Sequence, residues 1–371
     1  MTIQTNCINK TQYPMVTVNL KKLYHNAKIT VDNCKKSSIK IAGIIKGCNG
    51  IAEVGRTMLD AGCIQLGTSR IDQIIDLKNS GMTDTEFLLV RIPMISEAEE
   101  VAMYADLSLE SEISVIKAIN KACSKFKKRH GVILMADLGD LREGFWNKHE
   151  LTKAAIYIEN ELENIDLKGV GTNLGCYGSI KPNTKKMEEL SDIAQIVESK
   201  IGRKLEIISG GATSSYPLVL NGTMPCRINH LRIGEGILLS YDLKEIWGLD
   251  MNSMYQDVFT LKAEVIEVKE KPTHPVGEIF IDCFGRKPQY EDLGVRKRAL
   301  VAMGKLDFAL DDKIFPRTCG VRVIGSSSDH CIVDIEDCPE NIAVGDILEF
   351  NLSYPSLMYL TGNRYVNIRT I

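Results

Sequence analysis

Ile39-Lys40-Ile41-Ala42-Gly43-Ile44-Ile45-Lys46-Gly47-Cys48-Asn49-Gly50 is an apolar run that ends on a lysine and turns at once into a glycine-marked loop. Such a run reads as a strand buried on both faces, as in parallel sheets covered by helices. A lysine at the C-terminal end of that strand is poorly placed for a solvated surface. It is well placed for the mouth of an α/β barrel, where reactive groups collect. The plain alternative is a strand-end lysine whose ammonium snorkels to water. The ends of the later strands decide between the two.

Outward from this stretch, short apolar runs recur at residues 41–45, 64–67, 87–90, 106–109, 132–136, 167–170, 205–208 and 230–233. Charge-rich stretches such as 112–127, 151–162 and 185–200 lie between them, with apolar residues at three- and four-residue spacing. Eight strand–helix units predict an α/β fold, a (β/α)8 TIM-type barrel. The competing doubly wound open sheet normally has a glycine-rich phosphate loop after its first strand, and none stands here. Beyond about residue 252, runs at 258–269, 278–284, 298–302, 321–324, 331–335 and 347–352 alternate with Pro, Gly and Asp turns, which predicts a C-terminal all-β domain. The expected division is a barrel over 14–240 and a β-domain over 241–371, with 14–20 a spare strand that could join the latter.

The 371 residues, 44% hydrophobic and 25% charged, describe an ordinary globular protein. A net charge of -3 gives no footing for nucleic acid or an anionic membrane. The polar first thirteen residues hold no signal-peptide core, and no apolar stretch approaches a bilayer span, so a cytoplasmic location is expected. Eleven cysteines are scattered without a C-x-x-C pair or zinc spacing, and several sit in apolar runs (Cys63, Cys331), so free thiols and no metal site are expected.

Four more rim positions join Lys46. Arg142 follows the fifth run, Asn173 the sixth, Ser209-Gly210-Gly211-Ala212-Thr213-Ser214-Ser215 the seventh, and Arg232 the eighth, before Ile233-Gly234-Glu235-Gly236. A Gly/Ser/Thr loop opening a helix offers free N–H groups and hydroxyls to a phosphate, and Gly234 and Gly236 allow a second backbone to approach the same anion. With an amine opposite, the set suits pyridoxal 5'-phosphate on a Schiff-base lysine. Separately, Arg142 could pair with Asp137 or Asp140, the Ser/Thr run could be an N-cap, and Arg232 could be a rim ion pair.

The phrases Leu89-Val90-Arg91-Ile92-Pro93-Met94, Leu138-Gly139-Asp140-Leu141-Arg142-Glu143-Gly144, Ile208-Ser209-Gly210-Gly211, Leu231-Arg232-Ile233-Gly234-Glu235, Lys269-Glu270-Lys271-Pro272 and Ser327-Ser328-Asp329-His330 run over nearly the whole chain. On them the sequence resembles the alanine racemase fold, fold type III of the pyridoxal phosphate enzymes, in its ornithine racemase-like branch. The resemblance implies that Lys46 carries the cofactor. It places Arg142 near the phenolic oxygen, Arg232 at the ring nitrogen, and Thr213, Ser214, Ile233 and Gly234 on the phosphate. An always-charged arginine at that nitrogen disfavours its protonation and weakens the ring as an electron sink, which suits racemisation.

The chain also departs from the pattern. Alanine racemases carry a histidine where Asn173 stands, and a tyrosine from the other subunit's β-domain where Phe284 is the best match. Racemisation needs an acid/base on each face of Cα, so Cys283 or His330, the latter oriented by Asp329, is expected opposite Lys46. Each also has an ordinary reading, a packed strand thiol or a turn histidine. The branch implies a basic amino-acid substrate, ornithine or a near relative, with Asp329, Glu235, Asp282 or Asp292 as partners for its ammonium. One methylene separates lysine from ornithine, worth about 1–3 kcal/mol of discrimination. A homodimer completing its sites with the partner's β-domain is also implied. The rivals are an alanine or lysine racemase, a decarboxylase or aldolase of the same architecture, and a non-catalytic cofactor carrier.

Overall fold

The computed structural model describes residues 13–282 and 284–371. The chain forms two compact units, one spanning Leu20–Tyr255 and the other joining the segment up to Asn19 to Gln256–Ile371. The first strand in chain order, β1 (Met15–Val18), belongs to the second unit.

In the first unit β2 (Lys40–Ile44), β3 (Gln65–Thr68), β4 (Phe87–Leu89), β5 (Leu107–Glu110), β6 (His130–Met135), β7 (Ile165–Gly171), β8 (Ile207–Ser209) and β9 (His230–Ile233) close a barrel. Every neighbouring pair is parallel, and β9 closes on β2 with Ala42 opposite Arg232. Side chains alternate along each strand, so Ala42, Ile44, Leu88, Leu107, Leu109, Ile133 and Met135 meet in one buried cluster. Each fully buried aliphatic chain contributes about 1.5–3 kcal/mol.

Helices α1 (Leu20–Lys36), α2 (Ala52–Asp60), α3 (Ile71–Asn79), α4 (Ala98–Tyr104), α5 (Ile113–Phe126), α6 (Lys148–Glu161), α7 (Thr184–Ile201) and α8 (Tyr216–Leu220) follow the strands, and the short α9 (Glu235–Leu238) and α10 (Tyr241–Glu245) follow β9. Their apolar spacing does the work: in α5, Val115, Ile116, Ile119, Ala122 and Cys123 are the buried positions. Asn147 and Asn183 cap α6 and α7 by accepting from His149 N and Lys186 N.

The second unit is an eight-stranded sheet. Its further strands are β10 (Phe259–Pro272), β11 (Val295–Val301), β12 (Ile314–Pro316), β13 (Arg322–Ser326), β14 (Cys331–Asp334), β15 (Ile347–Leu352) and β16 (Asn367–Thr370), accompanied by α11 (Lys305–Phe308) and α12 (Tyr354–Gly362). β1 pairs antiparallel with β10 and parallel with β16. The strand expected at 278–284 is absent from its described residues. There Asp282 accepts the N–H groups of Phe284 (2.9 Å) and Arg286 (2.8 Å), a local turn that competes with strand pairing. Among the described residues no helix is long and apolar enough to cross a membrane.

Candidate active site

Lys46 opens a 3-10 turn, Lys46–Cys48, directly after β2. The turn is held from below by Gly50 N donating to Ile45 O (3.0 Å) and by the Cys48 thiol on the same carbonyl (3.3 Å). Cys48 is buried while Lys46 is exposed at the rim.

β9 supplies the counterpart. Arg232 is only 4% exposed and, among the described residues, has no carboxylate in hydrogen-bond or ion-pair contact. Its guanidinium donates to Ser209 Oγ, to Thr172 O (2.8 Å) and to Asn173 Oδ1 (3.4 Å). The ion-pair alternative for Arg232 is therefore replaced by a buried cation on neutral acceptors. Burial lowers its pKa to about 10, so it stays charged at neutral pH. Beneath it, His230 Nδ1 lies 2.8 Å from Ser209 Oγ. Burial first, then Arg232 and Lys40, hold that imidazole neutral with a pKa near 3.

Arg142 sits in the loop after β6. Asp137 turns this loop by accepting from Gly139 N (2.8 Å) and Leu141 N (3.1 Å). Gly144 closes it at φ +123, where an added Cβ would lie 2.6 Å from Asp137 N. Arg142 pairs with neither Asp137 nor Asp140. It forks onto Glu143, with Nη2 to Oε1 at 2.7 Å and Nε to Oε2. Asp140, 2% exposed, instead gathers the next strand's loop. It accepts from Gly175 N (3.1 Å), Cys176 N (3.2 Å), Tyr177 N (3.0 Å) and Ile180 N (3.4 Å). That loop brings Cys176 Sγ to 3.0 Å from Asn173 Nδ2.

The hydroxyl-rich turn between β8 and α8 is not an N-cap, for none of its side chains caps the helix. Thr213 Oγ1 accepts from Gly236 N (3.1 Å) and keeps its own proton free to donate. Ser214 spends its proton on Leu174 O (2.7 Å). Ser215 Oγ is buried without a partner. Gly211 has φ +115, and a Cβ there would reach 2.6 Å from that hydroxyl. Ile233 is fully buried, and a Cβ on Gly234 would lie 3.0 Å from Ile44 O.

The electrostatics bind the pieces together. Loss of bulk water among the rim loops lowers the Lys46 pKa, Arg142 and Arg232 push it further down, and Cys176 and Glu143 oppose them. For Glu143, burial alone would raise the pKa, but the hydrogen bonds and charge of Arg142 bring it below the ordinary value. The barrel thus joins Lys46, Arg142, Asn173, Ser209 and Arg232 with Glu143, Cys176 and Thr172, which sequence reasoning had not assigned. Glu143 stood beside Arg142 in a quoted motif; Cys176 carried no signal of its own.

Asp329 and His330 occupy the turn between β13 and β14 in the second unit, where Asp329 accepts from Ser328 Oγ (2.9 Å). Cys283 lies outside the described residues. Of the ammonium partners, Glu235 is buried and accepts from Asp242 N (2.9 Å), with burial, then Asp242, raising its pKa to about 8. Asp282 pairs with Arg286 at 2.9 Å, and Asp292 accepts from Gly294 N at 3.0 Å.

A closed parallel barrel with a lysine, two arginines and a hydroxyl-rich turn at the ends of its strands defines a class, and the chain belongs to it: residues 18–242 match the family of the alanine racemase N-terminal domain. At closer range, it is 39% identical to the ornithine racemase of Acetoanaerobium sticklandii, covering 95% of this chain and 98% of that protein. It is 38% identical to the lysine racemase of Thermotoga maritima, over 95% and 97% respectively. The solved alanine racemase of Clostridium difficile 630 shares the fold, with a TM-score of 0.72 at 19% identity over 98% of this chain and 97% of that one.

Proposed function

We propose that this chain is a pyridoxal 5'-phosphate-dependent amino-acid racemase, an isomerase that interconverts the L and D forms of ornithine or a similar basic amino acid. The observation that carries the reading is the shared barrel mouth of Lys46 after β2, Arg142 after β6 and the buried Arg232 of β9, the strand that pairs with β2. The residues present fit the cofactor. A phosphate suits the unpartnered Ser215 hydroxyl, the free Thr213 proton and the Gly211 approach. When bound, the cofactor supplies an aldehyde for amines and a ring that draws electrons from Cα. Lys46, Arg142, Asn173, Ser209 and Arg232 would hold it, with Thr213, Ser214, Ile233 and Gly234 at the phosphate.

The chain's own residues divide the remaining work. Lys46 Nζ takes or returns the Cα proton on its face, a task its lowered pKa assists. Arg232 stays cationic on neutral acceptors and does not hand a proton to the ring nitrogen. The second face needs its own acid/base. We assign it to the second unit of a partner subunit, His330 aided by Asp329, or Cys283. The homodimer is supported by Val276, Phe280 and Ile281 of that unit, which are 92%, 75% and 55% exposed and are the kind of apolar surface an interface covers. Buried free thiols at Cys34, Cys48, Cys63, Cys123 and Cys331 support a cytoplasmic setting.

The test is optical rotation of L-ornithine with the cofactor-loaded protein, with L-lysine and L-alanine in parallel. Rotation decaying to zero without release of carbon dioxide or aldehyde is expected, fastest with ornithine. Lys46→Ala abolishes it with the fold intact. Unchanged rotation with all three substrates would refute the racemase reading.

A further inference from the structure

The loop that carries Arg142 places a carboxylate beside it that the family's name does not explain. Glu143 is held in the protein, its side chain only 15% exposed, while the Arg142 side chain is 42% exposed. Both carboxylate oxygens are engaged by Arg142, through Nη2 at 2.7 Å and through Nε. Adjacent residues rarely face one another in regular structure. Here Leu141 at φ 54 and Gly144 at φ 123 fold the loop so that they do. The fork occupies one edge of the guanidinium, so the remaining Nη1 edge has one orientation available.

Glu143 also acts beyond Arg142. Its charge is felt at Lys46 and at Arg232. The formally charged groups around the amine are Arg142 and Arg232, both positive, and Glu143, negative, with the Cys176 thiol as the other titratable neighbour. Without Glu143 the amine would stand beside two guanidiniums and no carboxylate. Its conjugate acid would then be harder to form, and a proton transfer that must run in both directions would be biased one way.

We propose that Glu143 is a positioning residue of the active site, clamping Arg142 in one orientation and offsetting the two arginines so that Lys46 can both take and return a proton. The proposal rests on the reading of Lys46 as the reactive amine, and it gives the two halves of Glu143 separable effects. Glu143→Gln removes the charge and keeps the length. Glu143→Asp keeps the charge and shortens the arm, so the fork to the neighbouring side chain is lost.

The test reads Lys46 directly in cofactor-free protein. Formaldehyde with cyanoborohydride traps the amine, and peptide mass spectrometry follows the extent at Lys46 across pH, with circular dichroism confirming the fold. Glu143→Gln is expected to move the midpoint at Lys46 to lower pH, and Glu143→Asp to leave it near that of the parent. In the loaded enzyme both variants should lower kcat by about tenfold to a hundredfold with little change in KM, as misaimed groups do. An unchanged midpoint in Glu143→Gln overturns the charge role, and parental kcat in Glu143→Asp overturns the clamp. Failure of the parent to racemise any amino acid would instead overturn the functional reading, while the Lys46 midpoint would still decide the charge role.

Discussion

Asp140 offers the sharpest test of how the mouth is built. Its carboxylate accepts from Gly175 N, Cys176 N and Tyr177 N at 3.1, 3.2 and 3.0 Å, with a longer contact to Ile180 N at 3.4 Å. Asp140→Ala removes all four acceptor contacts at once. Counting about 1 kcal/mol net for each of the three shorter bonds gives about 3 kcal/mol of local stability. The loop is partly exposed, so water replaces some of what is lost and the figure is a ceiling for local opening. At about 1.4 kcal/mol per decade, amide exchange at Gly175, Cys176 and Tyr177 should accelerate by about a hundredfold. The α5 core, around Ile116 and Ile119, should keep its protection. Racemase activity should fall with the loop, because Asn173 and Cys176 are held through it. Local hydrogen exchange by mass spectrometry is the assay. Exchange at 175–177 within threefold of the parent would refute the claim that Asp140 organises the mouth.

Three further outcomes follow from the geometry. Glu110 is fully buried with a carboxyl pKa raised by burial from 4.5 to about 8, so the native state keeps a proton that the unfolded chain releases. Stability therefore falls as pH rises across 4.5 to 8, and Glu110→Gln should flatten that fall in urea melts; equal slopes would remove Glu110 as its source. Gly144→Ala should cost about 1–3 kcal/mol and lower activity, since the backbone is left-handed and a Cβ meets Asp137 N at 2.6 Å; an unchanged Tm and rate would contradict this. Iodoacetamide should label Cys176, Cys226 and Cys319 in the native protein and spare Cys34, Cys48 and Cys63, which are buried with thiols pushed up to about 12; equal labelling rates by peptide mapping would say otherwise.

The barrel was legible because strands buried on both faces leave continuous apolar runs. The residues just past them must then share one rim. Lys46, Arg142, Asn173, Ser209 and Arg232 were readable for that reason alone. What stayed hidden depends on where loops go. Asp140 was one of two carboxylates that could pair with Arg142, yet it binds backbone in the loop after the next strand. The partner is Glu143, visible only once left-handed Leu141 has bent the loop. For the Thr213–Ser215 hydroxyls a helix cap stood as the alternative to a phosphate loop, and they cap nothing: they cross to Gly236 and Leu174 or stand unpaired. Side-chain direction in a turn is set by dihedrals that no residue spacing encodes.

Closure of the barrel by β9 on β2 has a consequence for synthesis. Lys46 leaves the ribosome early, on the barrel's first strand, while Arg232 arrives on its last. Until the eighth strand inserts, the lysine is an ordinary amine among mobile chain, without the surroundings that lower its pKa. The site is therefore assembled from the two ends of the barrel segment and is complete only when the ring closes.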